Sequence, residues 1–246
     1  LYIPITVVGS LAFVMIPTLS TAVAQNDTAS IHKQISSAIT FSVYVAALFL
    51  PVFYVLGEPI GVMVYGNAES GRFLSSASWL LIPISVENIT SSMMNSLDLE
   101  RKSFINYFIG SAVMFAFMFA FMGHFDINIY AIAMGLSLSV STALDVIVIF
   151  RKTRVPLNFL TALVKAMFLI APAIVLNKAF YIAFAFMPML WRVSLTALIS
   201  LVFMFGLNFV FGTFDMRALF GKKNVEFADK TVANKRKKRY TKQARL

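Results

Sequence analysis

The chain has 246 residues, 59% apolar and only 13% charged, with a mean hydropathy of +0.80 and no cysteine. A charged share about half that of an ordinary soluble domain excludes a single water-soluble globule, the high hydrophobicity excludes a disordered chain, and the lack of cysteine excludes a disulfide scaffold. The net charge of +10 is concentrated at one end, since eleven of the 21 Lys and Arg follow residue 211, against Asp215, Glu226 and Asp229; the body is nearly neutral and no nucleic-acid groove is expected.

A helix needs roughly 20 apolar residues to cross about 30 Å of hydrocarbon. Seven segments meet that length: residues 4–24, 33–56, 72–97, 105–123, 128–150, 158–180 and 189–212. The expected fold is therefore all-α, a polytopic membrane helix bundle. Period-two alternation, the mark of a membrane barrel, is absent. Segment 57–71 reads as the longest loop. The chain opens on Leu1 and runs directly into a span, which reads as the carboxyl-terminal part of a longer polytopic protein.

Lys and Arg in short connections stay on the cytoplasmic side. Alternate connections hold Lys33, Arg101, Lys102, Arg151, Lys152 and Arg154 with the basic tail on one side, and Arg72, Lys178 and Arg192 on the other. The tail is accordingly expected in the cytoplasm of a multi-pass cell-membrane protein, with residue 1 at the outer face. Lys235 to Arg239, five consecutive basic residues, suit a solvated tail near anionic lipid heads. Tyr54, Tyr65, Tyr107, Tyr130, Tyr181 and Trp191 fall near span ends, where amphipathic rings favour the interface.

Polar side chains at membrane depth need a reason of their own. In the third segment Glu87, Ser91, Asn95 and Asp98 recur every three or four residues, and Asn88 and Ser92 adjoin them. Glu87, Asn88, Ser91 and Asn95 are the candidate wall of a hydrated substrate cavity, the rival reading being an interhelical hydrogen-bond cluster. Pro83, four residues before Glu87, is expected to kink the helix beside the carboxylate. Asp145 and Lys165 lie at similar depths in the fifth and sixth segments and form a candidate ion pair or coupling site, with Ser137 and Ser141 continuing a seam from Asp145. Pro17, Pro51, Pro83 and Pro172 are candidate hinges, and the Phe- and Met-rich run 114–122 reads as lipid-facing or core.

Phosphate-binding loops, zinc-ligand spacing, a nucleophile elbow and a dinucleotide fingerprint are all absent from the sequence, so neither an enzyme nor a cofactor is expected. Uphill work would draw on an ion gradient, with Glu87 or Asp145 as coupling candidates. Rhodopsin-like chemistry is excluded because segment 189–212 carries no Lys.

The opening IPITVVGSLAFVMIPTLSTAVA, the LGEPI and VYG elements after Pro51, and LIPISVENITSSMMNSLDLERKSFINYFIGS resemble the second half of oligosaccharide-lipid flippases. These belong to the multidrug/oligosaccharidyl-lipid/polysaccharide exporter superfamily, and the resemblance is greatest to its stage V sporulation protein B-like and lipid II flippase-like branch. It implies a fourteen-helix carrier of two lobes, of which residues 1–180 would supply helices eight to thirteen, 181–212 the last helix and 213–246 a cytoplasmic tail. The implied function is alternating-access transport of a polyprenyl-linked saccharide for peptidoglycan or polysaccharide synthesis, with membrane lipids and a preceding lobe of the same protein as partners. Two positions depart from the pattern: Asn95 to Asp98 stand where Gln-Gly is common, and Asp145 where Asn is expected. The alternatives are an ion-coupled multidrug exporter of the same superfamily and a non-transporting membrane scaffold for cell-wall synthesis.

Overall fold

The structure is a computed structural model, and it describes residues 2–121, 128–154 and 159–210. These fold into α1 (Tyr2–Ala24), α2 (Thr28–Tyr65), α3 (Ala68–Ser76), a short 3-10 turn (Ser78–Leu80), α4 (Leu81–Ser96), α5 (Glu100–Phe121), α6 (Asn128–Thr153), α7 (Phe159–Ala183) and α8 (Met189–Val210). Among the described residues, six helices are long and apolar enough to cross a membrane: all but α3 and α4.

The third expected span is not one helix. Chain 72–97 is divided among α3, the 3-10 turn and α4, and α4 has 16 residues. At about 1.5 Å per residue α4 alone reaches about 24 Å, short of the hydrocarbon thickness. The division also relocates Pro83. It sits in the first turn of α4, where a missing N–H costs no intrahelical bond. The expected kink beside Glu87 is therefore absent, whereas Pro17, Pro51 and Pro172 do lie inside helices.

α2 corrects a second expectation. It begins at Thr28, where the Asp27 side chain accepts from the Ser30 N–H, and continues through Pro51 and Pro59 to Tyr65. Its 38 residues take in most of the expected loop 57–71. Gly66, at φ 65°, ends the helix in the left-handed conformation that a residue without Cβ adopts freely. α3 then folds back along α2. A Cβ on Gly71 would stand 2.6 Å from the Glu58 carbonyl oxygen, and one on Gly57 would stand 2.7 Å from the Ser75 amide nitrogen, so glycines let these backbones touch.

α2 is the hub of the bundle, packing against α1, α3, α4, α7 and α8. Val43, Tyr44 and Ala47 meet Ala166, Leu169, Ala173 and Met204, and nearer the other end Val52 and Leu56 meet Val193. α5 is the most peripheral span and its polarity is inverted. Its buried residues are Ser103, Asn106 and Gly110, while Phe104, Phe108, Phe115 and Phe119 are exposed. Such a helix is the reverse of a soluble amphipathic one, and it suits a solvent of acyl chains.

Hydrogen bonds identify which helix ends share a level. Ser20 donates to the Ser96 carbonyl (3.3 Å), His32 Nε2 lies 3.2 Å from the Thr153 carbonyl, and Lys152 donates to the Leu97 carbonyl. The close of α1, the start of α2 and the ends of α4 and α6 therefore lie together. At the opposite level Ser76 donates to Asn128 Oδ1 (2.8 Å) and Arg72 pairs with Glu58 (3.2 Å).

Candidate functional site

α4, α5 and α6 share a polar seam. It begins with close backbone approach: a Cβ on Gly110 would stand 2.7 Å from the Ser137 carbonyl oxygen and 3.1 Å from the Ser141 Cβ. On α6, Ser137, Ser141 and Asp145 follow at steps of four and Thr142 adjoins them, so one flank of this helix carries three hydroxyls and a carboxylate.

Both acids of the seam are held by neutral donors. Ser141 and Thr142 donate to the two oxygens of Glu87, at 2.9 and 2.8 Å. Asp145 is fully buried and accepts from Asn106 Nδ2 (2.8 Å) and Ser103 Oγ (3.2 Å), and Ser103 also lies 3.5 Å from Ser91 Oγ. The seam thus links Glu87 and Ser91 of α4 to Ser103 and Asn106 of α5 and to Asp145 of α6. A charged or polar group at depth is costly without such partners.

Asp145 and Lys165 do not pair. α6 packs on α5 and α4, whereas α7 packs on α2 and α8, so equal depth leaves the two side chains on different helix pairs. Lys165 is exposed. The salt bridge found among the described residues is Arg72–Glu58.

The four candidate cavity residues divide into two groups. Glu87 and Ser91 face the seam. Asn88 is half-buried and Asn95 exposed, and these two lie seven residues apart on one flank of α4, with half-buried Ser92 beside them. Asp98 does not extend the stripe, because it lies past the end of α4 in a left-handed turn (φ 53°). Ser103, Asn106 and Thr142 are partners in the seam that the sequence reading missed. The available signal was spacing: Ser103, Asn106 and Gly110 are small or polar residues at i, i+3 and i+7 of a largely apolar helix.

A recess of about 760 Å³ lies away from the seam, at the level of Arg72 and Glu58. Tyr54, Glu58, Arg72, Lys178, Tyr181 and Met189 are among its walls. A third polar group is packed inside the bundle: Asn177 of α7 and Thr196 and Ser200 of α8 are buried, with side-chain atoms that have no hydrogen-bond partner. No cluster of three or more His, Cys, Asp or Glu able to hold a metal occurs among the described residues.

Six apolar helices of spanning length, among them α5 with its polar side chains buried and its phenylalanines exposed, mark a multi-pass helical membrane protein. Compared with known protein families and with curated protein sequences, the chain has no match.

Proposed function

We propose that this chain is the second lobe of an alternating-access carrier that moves a polyprenyl-linked saccharide across the cytoplasmic membrane. The observation that carries the reading is the flank of α4 bearing Asn88, Ser92 and Asn95. It stays partly or fully open, in contrast to neighbouring α5, which buries Ser103 and Asn106 and turns its phenylalanines outward. Carboxamides do not face acyl chains without cost, so this flank belongs against a hydrated space enclosed with a preceding lobe. The α3–α4 segment would then be the seventh traverse, since its two ends lie at opposite levels of the bundle. The basic tail would lie in the cytoplasm by the charge asymmetry of the connections. The resemblance of residues 3–24 and 81–111 to lipid-saccharide flippases supplies the substrate class.

In this carrier the saccharide and its phosphates pass through the wet space while the lipid tail stays in the bilayer. Asn88 and Asn95 offer donors and acceptors to sugar hydroxyls. Glu87 and Asp145 hold the three-helix seam together, so that α4 moves with α5 and α6.

The test is a flipping assay on the intact carrier in proteoliposomes loaded with a fluorescent polyprenyl-diphosphate saccharide and exposed to an impermeant quencher. Protein-dependent loss of the inner-leaflet signal, reduced in Asn88→Leu, is expected. A rate equal to that of empty vesicles sinks the proposal. Deleting residues 222–246 separates carrier from scaffold, because a carrier keeps most of its transport and a scaffold loses its function.

A further inference from the structure

We propose that the recess between α2, α3, α7 and α8 is a binding site for the phosphate of an anionic membrane lipid, with Lys178 and Arg72 as the groups that hold it. The inference rests on the membrane character of the bundle and not on the transport reading.

Charge comes first. Among the described residues, Lys178 and Arg72 line the recess together with a single acid, Glu58. Glu58 engages Arg72 through Nε, at 3.2 Å, which leaves the terminal guanidinium nitrogens outside that bond. Lys178 is exposed and its Nζ lies 5.9 Å from the Tyr54 ring centroid, a cation held over an aromatic face. Arg192 adds a third positive charge beside the recess. It donates Nε to the Tyr181 carbonyl (2.6 Å) and stacks over the Tyr181 ring at 3.6 Å. Two cations and one acid line the recess, with Arg192 beside it, and that balance favours an anion.

Depth and wall chemistry then select a lipid. Lys178 lies five residues before the end of α7, about 7 Å from that end. A 25-residue helix exceeds the hydrocarbon thickness by roughly 7 Å, about 4 Å at each end when shared equally, so Lys178 lies about 4 Å inside the apolar core and its flexible stem reaches the headgroup layer. Val55, Val62, Ile182 and Met189 form apolar walls beside the cations, and Tyr54 and Tyr181 give the amphipathic rings typical of that layer. A phosphate with acyl chains attached meets both kinds of wall; a free anion meets one.

Native mass spectrometry of the purified chain, released from detergent with phosphatidylglycerol or phosphatidylcholine, provides the test. Phosphatidylglycerol is expected to be retained in preference to phosphatidylcholine. Lys178→Gln should weaken that retention about fivefold, the effect of one basic side chain near a lipid surface. Lys178→Arg should restore it, and Lys33→Gln, at the far end of α2, should leave it unchanged. Since Lys178 is exposed, its replacement does not threaten the fold, and an unchanged melting temperature confirms this. Equal retention of the two lipids, or an equal loss in Lys33→Gln and Lys178→Gln, overturns the proposal.

Discussion

Replacing Gly110 by Ala tests whether the seam depends on backbone contact between α5 and α6. The new Cβ would stand 2.7 Å from the Ser137 carbonyl oxygen, while comfortable contact is nearer about 3.5 Å, so the helices must part by roughly 0.8 Å. Asn106 lies one turn away on the same face of α5. Its 2.8 Å bond to Asp145 would stretch to about 3.6 Å, past the range of a useful hydrogen bond. Overpacking costs about 1–3 kcal/mol and loss of an interhelical bond in a membrane protein about 0.6–1.7 kcal/mol, against a gain of about 1 kcal/mol from the better helix former. A net loss of about 1–3 kcal/mol is expected in reversible unfolding of the purified chain in mixed micelles. A cycle with Asn106→Leu should be strongly non-additive, because both changes remove the same bond. Neutral behaviour of Gly110→Ala, or simple additivity with Asn106→Leu, would refute the claim that close approach positions the donors of Asp145.

Two further substitutions probe the polar interior. Glu87→Gln keeps an acceptor oxygen for Ser141 or Thr142, so the saccharide carrier should retain most of its flipping rate; complete loss in the proteoliposome assay, with the fold intact, would favour the ion-coupled exporter. Thr196→Val removes a buried hydroxyl that has no partner while preserving its shape. It should be neutral or stabilising by up to about 1 kcal/mol in chemical unfolding, and a clear destabilisation would contradict the reading of an unpartnered hydroxyl.

The long spans were legible because a run of apolar residues is a local property of the chain. The extension of α2 was not. Gly57, Pro59, Gly61, Gly66 and Asn67 together read as turn chemistry, yet Gly57 and Gly61 serve a tight helix pair with Gly71. The break before α4 was hidden for the opposite reason. No Gly, Asn or Asp marks it, and a Trp79 ring seated over Gly135 of α6 accompanies the 3-10 turn instead. Asp145 was recognisable as a buried acid, but its partners were not, because depth along a helix carries no information about which neighbour it packs against. Ser137 and Ser141 were correctly placed on the face of Asp145, since that relation lies within one helix.

A carrier of this kind requires that the Asn88 flank of α4 face water while the outer face of α5 faces lipid. Asn88 and Phe108 each lie eight residues from the end of their helix at the level of Ser96, about 12 Å by helical rise, so the two are matched in depth. The chain contains no cysteine, and Asn88→Cys and Phe108→Cys each introduce a single thiol. Treated with a charged, membrane-impermeant thiol reagent in the intact carrier, the thiol at position 88 should be labelled and that at 108 spared. Equal protection of both, or labelling of 108 alone, would contradict the account.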